Sequence, residues 1–469
     1  QEGGPQEGPQ APAVLEALSG ANGTVARRLF GTDGVRGVAG ELLTADLAVA
    51  LGRAATLQSG AQSPRVLVIR DTRESGEMLE AALAAGVAAA GGEVFLGGVL
   101  PTPAAPLLLG RYGFDLAAVI SASHNPYRDN GIKFFGHDGH KLSDATEEAI
   151  EDRLDDVPAG GPIGRVRTLH GTEEDYLREL HTRFAGLDLS GVDVLLDCAN
   201  GATYQAGPEI FRRLGAGVTV LADSPDGRNI NDGCGSTHVD ALAREVVAGG
   251  HAIGFAFDGD GDRMLAVDRN GVVVDGDELI ALAALHLRAQ DRLPGNGVAV
   301  TVMTNYGFHS AMAEHGIEVA TTNVGDRYVL EELRSRSWAL GGEQSGHIID
   351  MGFVPSGDGI ASALLTLEAL AGGDLADRSA MRKLPQRLVN VRVADRVAAM
   401  ASGELMDAVA RESEALEGRG RVLVRPSGTE QLVRVMVEAP AEDEADAVCA
   451  RLVAVVERSV ASAAGLDVS

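Results

Sequence analysis

The chain has 469 residues, 45% of them apolar and 23% charged, the profile of a globular protein too long for a single core. At roughly 150 residues per domain the length predicts three or four domains. The 67 acidic residues outnumber the 40 basic ones and leave a formal charge of −27. Such a surface repels nucleic-acid backbones and anionic lipid headgroups, so no nucleic acid and no membrane is expected as a partner. A phosphorylated small molecule would need a local cluster of Arg and backbone N–H groups.

Residues 1–26 lack a basic n-region and a continuous apolar stretch, so no signal peptide is expected and they read as a flexible extension. The longest apolar stretch, about 79–96, is mostly Ala and Gly with Glu80 and Glu93 inside it, a helix-then-strand pattern and no membrane span. Cys198, Cys234 and Cys449 are scattered without metal-type spacing, which fits a reducing, cytoplasmic setting. Nothing in the sequence decides between a monomer and a homodimer.

One pattern recurs three times: apolar strand, polar loop, helix, glycine break, second strand. The copies begin at Val66, Val192 and Val298, and the first carries Asp71, Thr72 and Arg73 in its loop. The fold class expected is therefore α/β, three similar domains with mixed or parallel sheets. After Pro385 the order becomes strand, helix, strand, Arg-rich loop, strand, helix, a separate α+β domain. The expected divisions are 1–26, 27–164, 165–271, 272–384 and 385–469, the first domain ending in a Gly/Pro-rich stretch. Ligands of such α/β units gather at the loops beyond the strand C-termini.

Four motifs carry chemistry. In ISASHNPYRDNGIKFF (120–135) a strand runs into a turn in which Pro126 stops any helix and holds Ser123 on a fixed loop beside His124. Ser123 reads as a nucleophile or as ordinary turn chemistry. Lys133 is one of three lysines against 37 arginines, and lysine, unlike arginine, can give up its proton when its pKa is lowered. It reads as a proton-transfer group or as a solvated strand residue.

In DGDGDR (258–263) the glycines let Asp258, Asp260 and Asp262 converge on one centre, an arrangement of hard oxygens suited to Mg²⁺. An EF-hand is excluded because Arg263 stands at the sixth position and Arg269 at the twelfth. GGEQSGH (341–347) offers Glu343 and Ser345 on a Gly-rich loop, suited to sugar hydroxyl or amino groups and equally compatible with a plain loop. RPSGTE (425–430), with Arg434 on the strand that follows, presents hydroxyl, N–H and guanidinium donors as a phosphate cradle. Neither a P-loop nor a dinucleotide fingerprint is present in the sequence.

Together with FGTDGVRG (30–37), these segments resemble the phosphohexomutase superfamily from about Arg28 to the C-terminal helix. The resemblance implies four domains ringing one cleft, with Ser123 as the phosphoserine and Asp258, Asp260 and Asp262 binding one Mg²⁺ together with a phosphoserine oxygen. It places Arg36, Lys133 and Arg263 around the transferring phosphate, with Lys133 and His124 as candidates for moving protons. Glu343 and Ser345, helped by Asp326 and Arg327, would hold the sugar. Arg425, Ser427, Gly428, Thr429 and Arg434 would grip the phosphate that is not reacting.

Gln344 and VGDRYV (324–329) are similar to the branch that works on hexosamine phosphates, while Gln431 stands where that branch has Pro. The implied reaction is interconversion of glucosamine 6-phosphate and glucosamine 1-phosphate through a 1,6-bisphosphate, feeding amino-sugar nucleotide and cell-wall precursor synthesis. The alternatives are the same mechanism on glucose or mannose phosphates and, in another class, a metal-dependent phosphatase. The phosphatase reading leaves SASHNP and RPSGTE unexplained.

Overall fold

The computed structural model describes residues 29–31, 33–157, 160–427 and 430–463; the extension expected over 1–26 lies outside them. The first unit runs β1 (Phe30–Gly31), β2 (Gly34–Val38), α1 (Ala45–Gln58), β3 (Arg65–Arg70), α2 (Ser75–Ala89), β4 (Glu93–Val99), α3 (Ala104–Tyr112), β5 (Leu116–Ile120), β6 (Asp129–Gly136), α4 (Asp144–Glu151) and β7 (Val166–Thr168). Its seven strands lie in the order β1-β2-β6-β5-β3-β4-β7, with β3 parallel to β4 and β5 while β6 returns antiparallel to β5. The strand β5 reads LAAVI and every residue of it is buried, as a central strand covered on both faces requires. The sheet runs past residue 164, because Val166–Thr168 pairs with β4 as its outer edge.

The second unit runs α5 (Thr172–Arg183), β8 (Asp193–Asp197), α6 (Ala206–Arg213), β9 (Gly217–Leu221), α7 (Asp240–Gly249), β10 (Ile253–Phe257), β11 (Met264–Asp268) and β12 (Val273–Val274), with sheet order β12-β11-β10-β8-β9. The third runs α8 (Gly276–Ala289), β13 (Gly297–Thr301), α9 (Tyr306–Glu314), β14 (Glu318–Thr322), α10 (Asp326–Arg336), β15 (Leu340–Gly342), β16 (Ile348–Asp350) and α11 (Gly359–Leu370), with order β14-β13-β15-β16. In each repeat the strand before the helix pairs parallel with the strand after it, as the thrice-repeated pattern requires. One apolar core passes through all three units, joining Leu67 and Phe114 to Phe211, Phe255, Leu279 and Phe308. Burying a side chain of this size stabilises the fold by about 1.5–3 kcal/mol.

The fourth unit runs β17 (Gln386–Arg392), α12 (Arg396–Met400), α13 (Gly403–Ala415), β18 (Arg421–Pro426), β19 (Leu432–Glu438) and α14 (Glu442–Ala463), with β19 between β17 and β18. It has a core of its own, from Val391 to Val456. Polar contacts with the third unit meet at Glu438, whose side chain is fully buried. Its carboxylate accepts from Tyr306 N–H (2.8 Å), Asn305 Nδ2 (3.3 Å) and Arg421 Nε (2.8 Å). Arg421 in turn donates to the carbonyls of Val302 (3.0 Å) and Thr304 (2.6 Å). The fourth unit thus has a core of its own and meets the third in polar contacts at residues 302–306.

Candidate active site

Ser123 follows β5 on the loop that turns back into β6, and it is only 2% exposed. Its φ of 51° lies in the left-handed region, which costs an L-residue roughly 1–2 kcal/mol, so surrounding bonds must hold it there. Those bonds are present. Ser123 N–H donates to Ser121 Oγ (2.9 Å), and Ser121 Oγ–H donates to Asp71 Oδ2 (2.6 Å). The same Asp71 oxygen accepts from Arg73 Nε at 2.8 Å. The fully buried Arg73 guanidinium then donates to the carbonyls of Ser123 (2.8 Å), Asn125 (2.8 Å), Pro126 (2.5 Å) and Asp129 (2.9 Å). From the second unit, Asn231 Nδ2 donates to Ser123 O at 2.9 Å.

The aspartate loop is the hairpin between β10 and β11, where Phe257 pairs with Met264. Gly261 takes φ +72°, and a Cβ on Gly259 would stand 2.6 Å from Ser123 O, so the serine loop can come this close only over glycine. Carboxylate oxygens of Asp258, Asp260 and Asp262 all lie within 4.8 Å of one another, and all three residues are buried. Ser123 Oγ–H donates to Asp258 Oδ2 at 2.5 Å. Thr102 Oγ1 donates to Asp260 Oδ2 at 2.7 Å. Asp260 Oδ1 and Asp262 Oδ1 are buried without a hydrogen-bond partner. Burial and the Asp262 and Asp260 charges push the Asp258 carboxyl well above its ordinary range. Unpartnered carboxylate oxygens crowded against like charge are the donor set of a hard cation, so the residues present fit a divalent metal.

Four cationic or titratable side chains surround this cluster. Lys133, on β6 opposite Val119, lies 2.9 Å from Asp260, 3.4 Å from Asp33 and 3.7 Å from Asp262. Burial alone would depress it, but Asp260, Asp33 and Asp262 outweigh burial and hold Lys133 above its ordinary value. In this arrangement it stands as an ammonium among three carboxylates. Arg36 pairs with Asp33, and Arg263 Nε lies 3.9 Å from Asp262 Oδ1. Both guanidiniums keep a buried Nε–H without an acceptor, as donors set aside for an anion would. His124 Nδ1 stands 3.4 Å from Ser123 Oγ, and burial, Arg263 and Arg36 hold its pKa below the usual histidine value.

The GGEQSGH loop packs against this hairpin, with Met264 N–H donating to Gly346 O at 3.0 Å. Glu343 accepts Gly325 N–H at 3.0 Å, and Ser345 is exposed. Gln344 is engaged inside the protein. Its Nε2 donates to Asp275 Oδ2 (3.1 Å), the N-cap of α8, which also pairs with Lys383. This branch-typical residue therefore seats the loop. Asp326 lies 2.5 Å from Lys141 Nζ, and Arg327 pairs with Asp144 and, at 2.9 Å, with Glu147 of α4. Both therefore join the third unit to the first. His347, whose role sequence reasoning missed, sits between Asp262 and Asp326 at 3.6 Å from each. Gly357 N–H donates to its Nε2 at 3.1 Å, which leaves the ring proton on Nδ1 facing Asp262.

On the fourth unit Arg425 and Arg434 are direct partners across β18 and β19. Burial and the Arg434 charge lower the Arg425 pKa, a repulsion that a bound anion would relieve. Ser427 is buried, its Oγ accepts Glu430 N–H at 3.3 Å, and Arg396 holds its carbonyl at 2.5 Å. Gly428 and Thr429 lie outside the described residues. A cavity of about 870 Å³, lined by His170, Tyr204 and Arg212 among others, contains none of the motif residues.

The whole arrangement matches known proteins along its length. The phosphoglucomutase/phosphomannomutase family models match in chain order: alpha/beta/alpha domain I at 27–159, domain II at 170–271, domain III at 275–388 and the C-terminal domain at 388–455. A phosphoglucosamine mutase of Moorella thermoacetica is 51% identical over 436 residues, covering 91% of this chain and 98% of that protein. One from Mycobacterium tuberculosis is 49% identical over 450 residues, covering 93% and 99%. Among solved structures, a phosphoglucomutase/phosphomannomutase family protein of Burkholderia thailandensis superposes with TM-score 0.78 at 25% identity, covering 94% of this chain and 98% of that one. An Aspergillus fumigatus N-acetylphosphoglucosamine mutase, solved with GlcNAc-6P and magnesium, shares the fold at TM-score 0.66 and 19% identity over 96% of this chain and all of that one. With all four domain models matched in order and relatives near half identity end to end, the chain belongs to the phosphoglucomutase/phosphomannomutase family, the phosphohexomutases.

Proposed function

We propose that the protein interconverts glucosamine 6-phosphate and glucosamine 1-phosphate, carrying the phosphoryl group on Ser123 and passing through glucosamine 1,6-bisphosphate. The observation that carries this reading is the Ser123 hydroxyl 2.5 Å from Asp258, at the rim of a buried three-carboxylate cluster. A plain turn serine has no need of such neighbours. The amino sugar follows from the relatives named phosphoglucosamine mutase, near 50% identical across almost the whole chain. The branch residues Gln344 and Asp326–Arg327 agree with it.

We assign Asp258, Asp260 and Asp262, with an oxygen of phosphorylated Ser123, to one Mg²⁺ per site. When bound, that ion neutralises negative charge on the oxygens of the transferring phosphoryl group. The chain supplies the rest. Arg36, Arg263 and Lys133 hold the same oxygens in line. In the half-reaction that restores the phosphoenzyme, Ser123 Oγ attacks phosphorus, the bond to the sugar oxygen breaks, and the Oγ proton needs an acceptor. Asp258 and His124 both stand at Oγ. The imidazole of His124, held below the usual histidine pKa, would take that proton while the Lys133 ammonium would supply one to the departing sugar oxygen.

Glu343 and Ser345 hold the sugar. Because Lys141 already neutralises Asp326, Glu343 is the carboxylate for the 2-ammonium group. Arg425, Ser427, Gly428, Thr429 and Arg434 hold the distal phosphate. The bisphosphate must turn round between half-reactions, and a fourth unit pivoting at Glu438 gives it room while the other units stay packed. Free thiols at Cys198, Cys234 and Cys449 support a cytoplasmic location. Among the described residues, no helix is long and apolar enough to cross a membrane.

The test compares kcat/KM for glucosamine, glucose and mannose 6-phosphates on one phosphorylated preparation, with released phosphate measured in parallel. One differential charge-assisted contact predicts about a 10- to 100-fold preference for the amino sugar. Equal efficiency with glucose phosphate, or preference for mannose phosphate, would leave the mechanism and remove the substrate. Net release of phosphate in place of isomerisation would favour the phosphatase.

A further inference from the structure

The chain spends only three lysines, and all three meet carboxylates at or beside the site: Lys133, Lys383 and Lys141. Lys141 follows β6, tied to it by a bridge with Phe135, and its side chain is 10% exposed. Its ammonium stands 2.5 Å from Asp33 Oδ1 in the first unit and 2.5 Å from Asp326 Oδ2 in the third. The other oxygen of Asp33 pairs with Arg36 and lies 3.4 Å from Lys133. Lys133 also lies 3.7 Å from Asp262, so the Asp33 carboxylate links Lys141 to the aspartate cluster.

A compact ammonium donates to both carboxylates from one point. A guanidinium can also span two carboxylates, as Arg327 does with Asp144 and Glu147, but it is larger. At a side chain only 10% exposed it would push Asp33 and Asp326 apart. Burial opposes charge on Lys141, and Asp326 and Asp33 more than offset it, so the bridge holds as an ion pair on both sides. Lys141 holds Oδ1 of Asp33 while Arg36 and Lys133 share Oδ2, and Arg36 Nε–H is without a protein acceptor.

We propose that Lys141 is a positioning residue: through Asp33 it sets Arg36 and Lys133 against the transferring phosphate, and through Asp326 it ties that placement to the packing of the third unit against the first. The inference rests on the Ser123 phosphoenzyme reading and adds to it a residue that touches neither substrate nor metal ligand.

The experiment uses phosphorylated full-length enzyme with saturating Mg²⁺ at fixed pH, and reads the ³¹P resonance of the phosphoserine beside kcat and KM. Lys141→Met should displace the resonance and lower kcat about 10- to 100-fold, the usual loss when a residue supporting an active site is removed. KM should change much less. Lys141→Arg should not rescue kcat. The control is Asp144→Asn, which breaks an ion pair of the same seam at a residue 66% exposed; it should leave the resonance in place. An unmoved resonance with kcat intact in a folded Lys141→Met variant overturns the proposal. So does an equal displacement in Asp144→Asn. Should Lys141→Met fail to fold, Lys141→Arg takes its place: a displaced resonance with lowered kcat supports the proposal, and wild-type values of both overturn it. A wild-type enzyme that turns over without a phosphoserine resonance would remove the Ser123 reading instead, and the kcat comparison would still decide Lys141.

Discussion

Replacing Ser123 with alanine should reduce mutase turnover by about a thousandfold or more, because the group that carries the phosphoryl between half-reactions is gone. Ser121→Ala is the informative comparison. That hydroxyl accepts Ser123 N–H and donates to Asp71, so its loss loosens the serine loop without removing the nucleophile. Leaving those partners unmet costs about 1–3 kcal/mol, and the loss of activity should be far smaller. Ser123→Gly separates chemistry from strain. At φ 51° glycine avoids the steric cost that serine bears, so this variant should be as inactive as Ser123→Ala yet unfold at no lower temperature. Comparable activities in the Ser121 and Ser123 variants would show that the loop matters only as a turn.

The second large effect belongs to the aspartates. Asp260→Ala should abolish turnover at any Mg²⁺ concentration, since it removes a cation ligand and the closest partner of Lys133. Asp258→Asn should be equally inactive, but its stability should move the other way. Burial and the charges of Asp262 and Asp260 push the Asp258 carboxyl well above its ordinary range, so its ionised form is a liability in the folded protein without a cation. In chelator, Asp258→Asn should therefore be more stable than the parent. Mg²⁺ should raise the melting temperature of the parent and leave that of the variant nearly unchanged. Calorimetry with and without chelator reads both. A parent protein indifferent to Mg²⁺, or an Asp258→Asn protein that still needs it, would contradict the metal assignment.

The motifs were legible in sequence because each is local. A strand ending at a turn, three aspartates at alternate positions and a Ser-Gly-Thr loop between arginines all declare themselves within a few residues. The thrice-repeated strand–helix–strand pattern likewise announced its parallel pairs. What stayed hidden is what joins distant segments. Arg73 precedes the carbonyls it grips by about 50 residues, and Lys141 meets Asp326 from 185 residues away. Periodicity and turn chemistry say nothing about such partners. The neighbours of Lys133 stayed hidden for the same reason, since Asp260, Asp262 and Asp33 come to it from other loops. The left-handed Ser123 carries no mark either, because a glycine would have announced that backbone and serine does not. The edge strand Val166–Thr168 also escaped, its three exposed residues having no apolar face to show.

Everything proposed for the site depends on a phosphoryl group carried on Ser123. The most direct measurement incubates the dephosphorylated protein with glucosamine 1,6-bisphosphate and Mg²⁺, then maps phosphopeptides by mass spectrometry. One phosphate per chain is expected, on the peptide that spans Ser123, and it should be discharged when glucosamine 6-phosphate is added. A protein that turns over with no phosphate at Ser123, or with the phosphate at another residue, would contradict the phosphoserine mechanism.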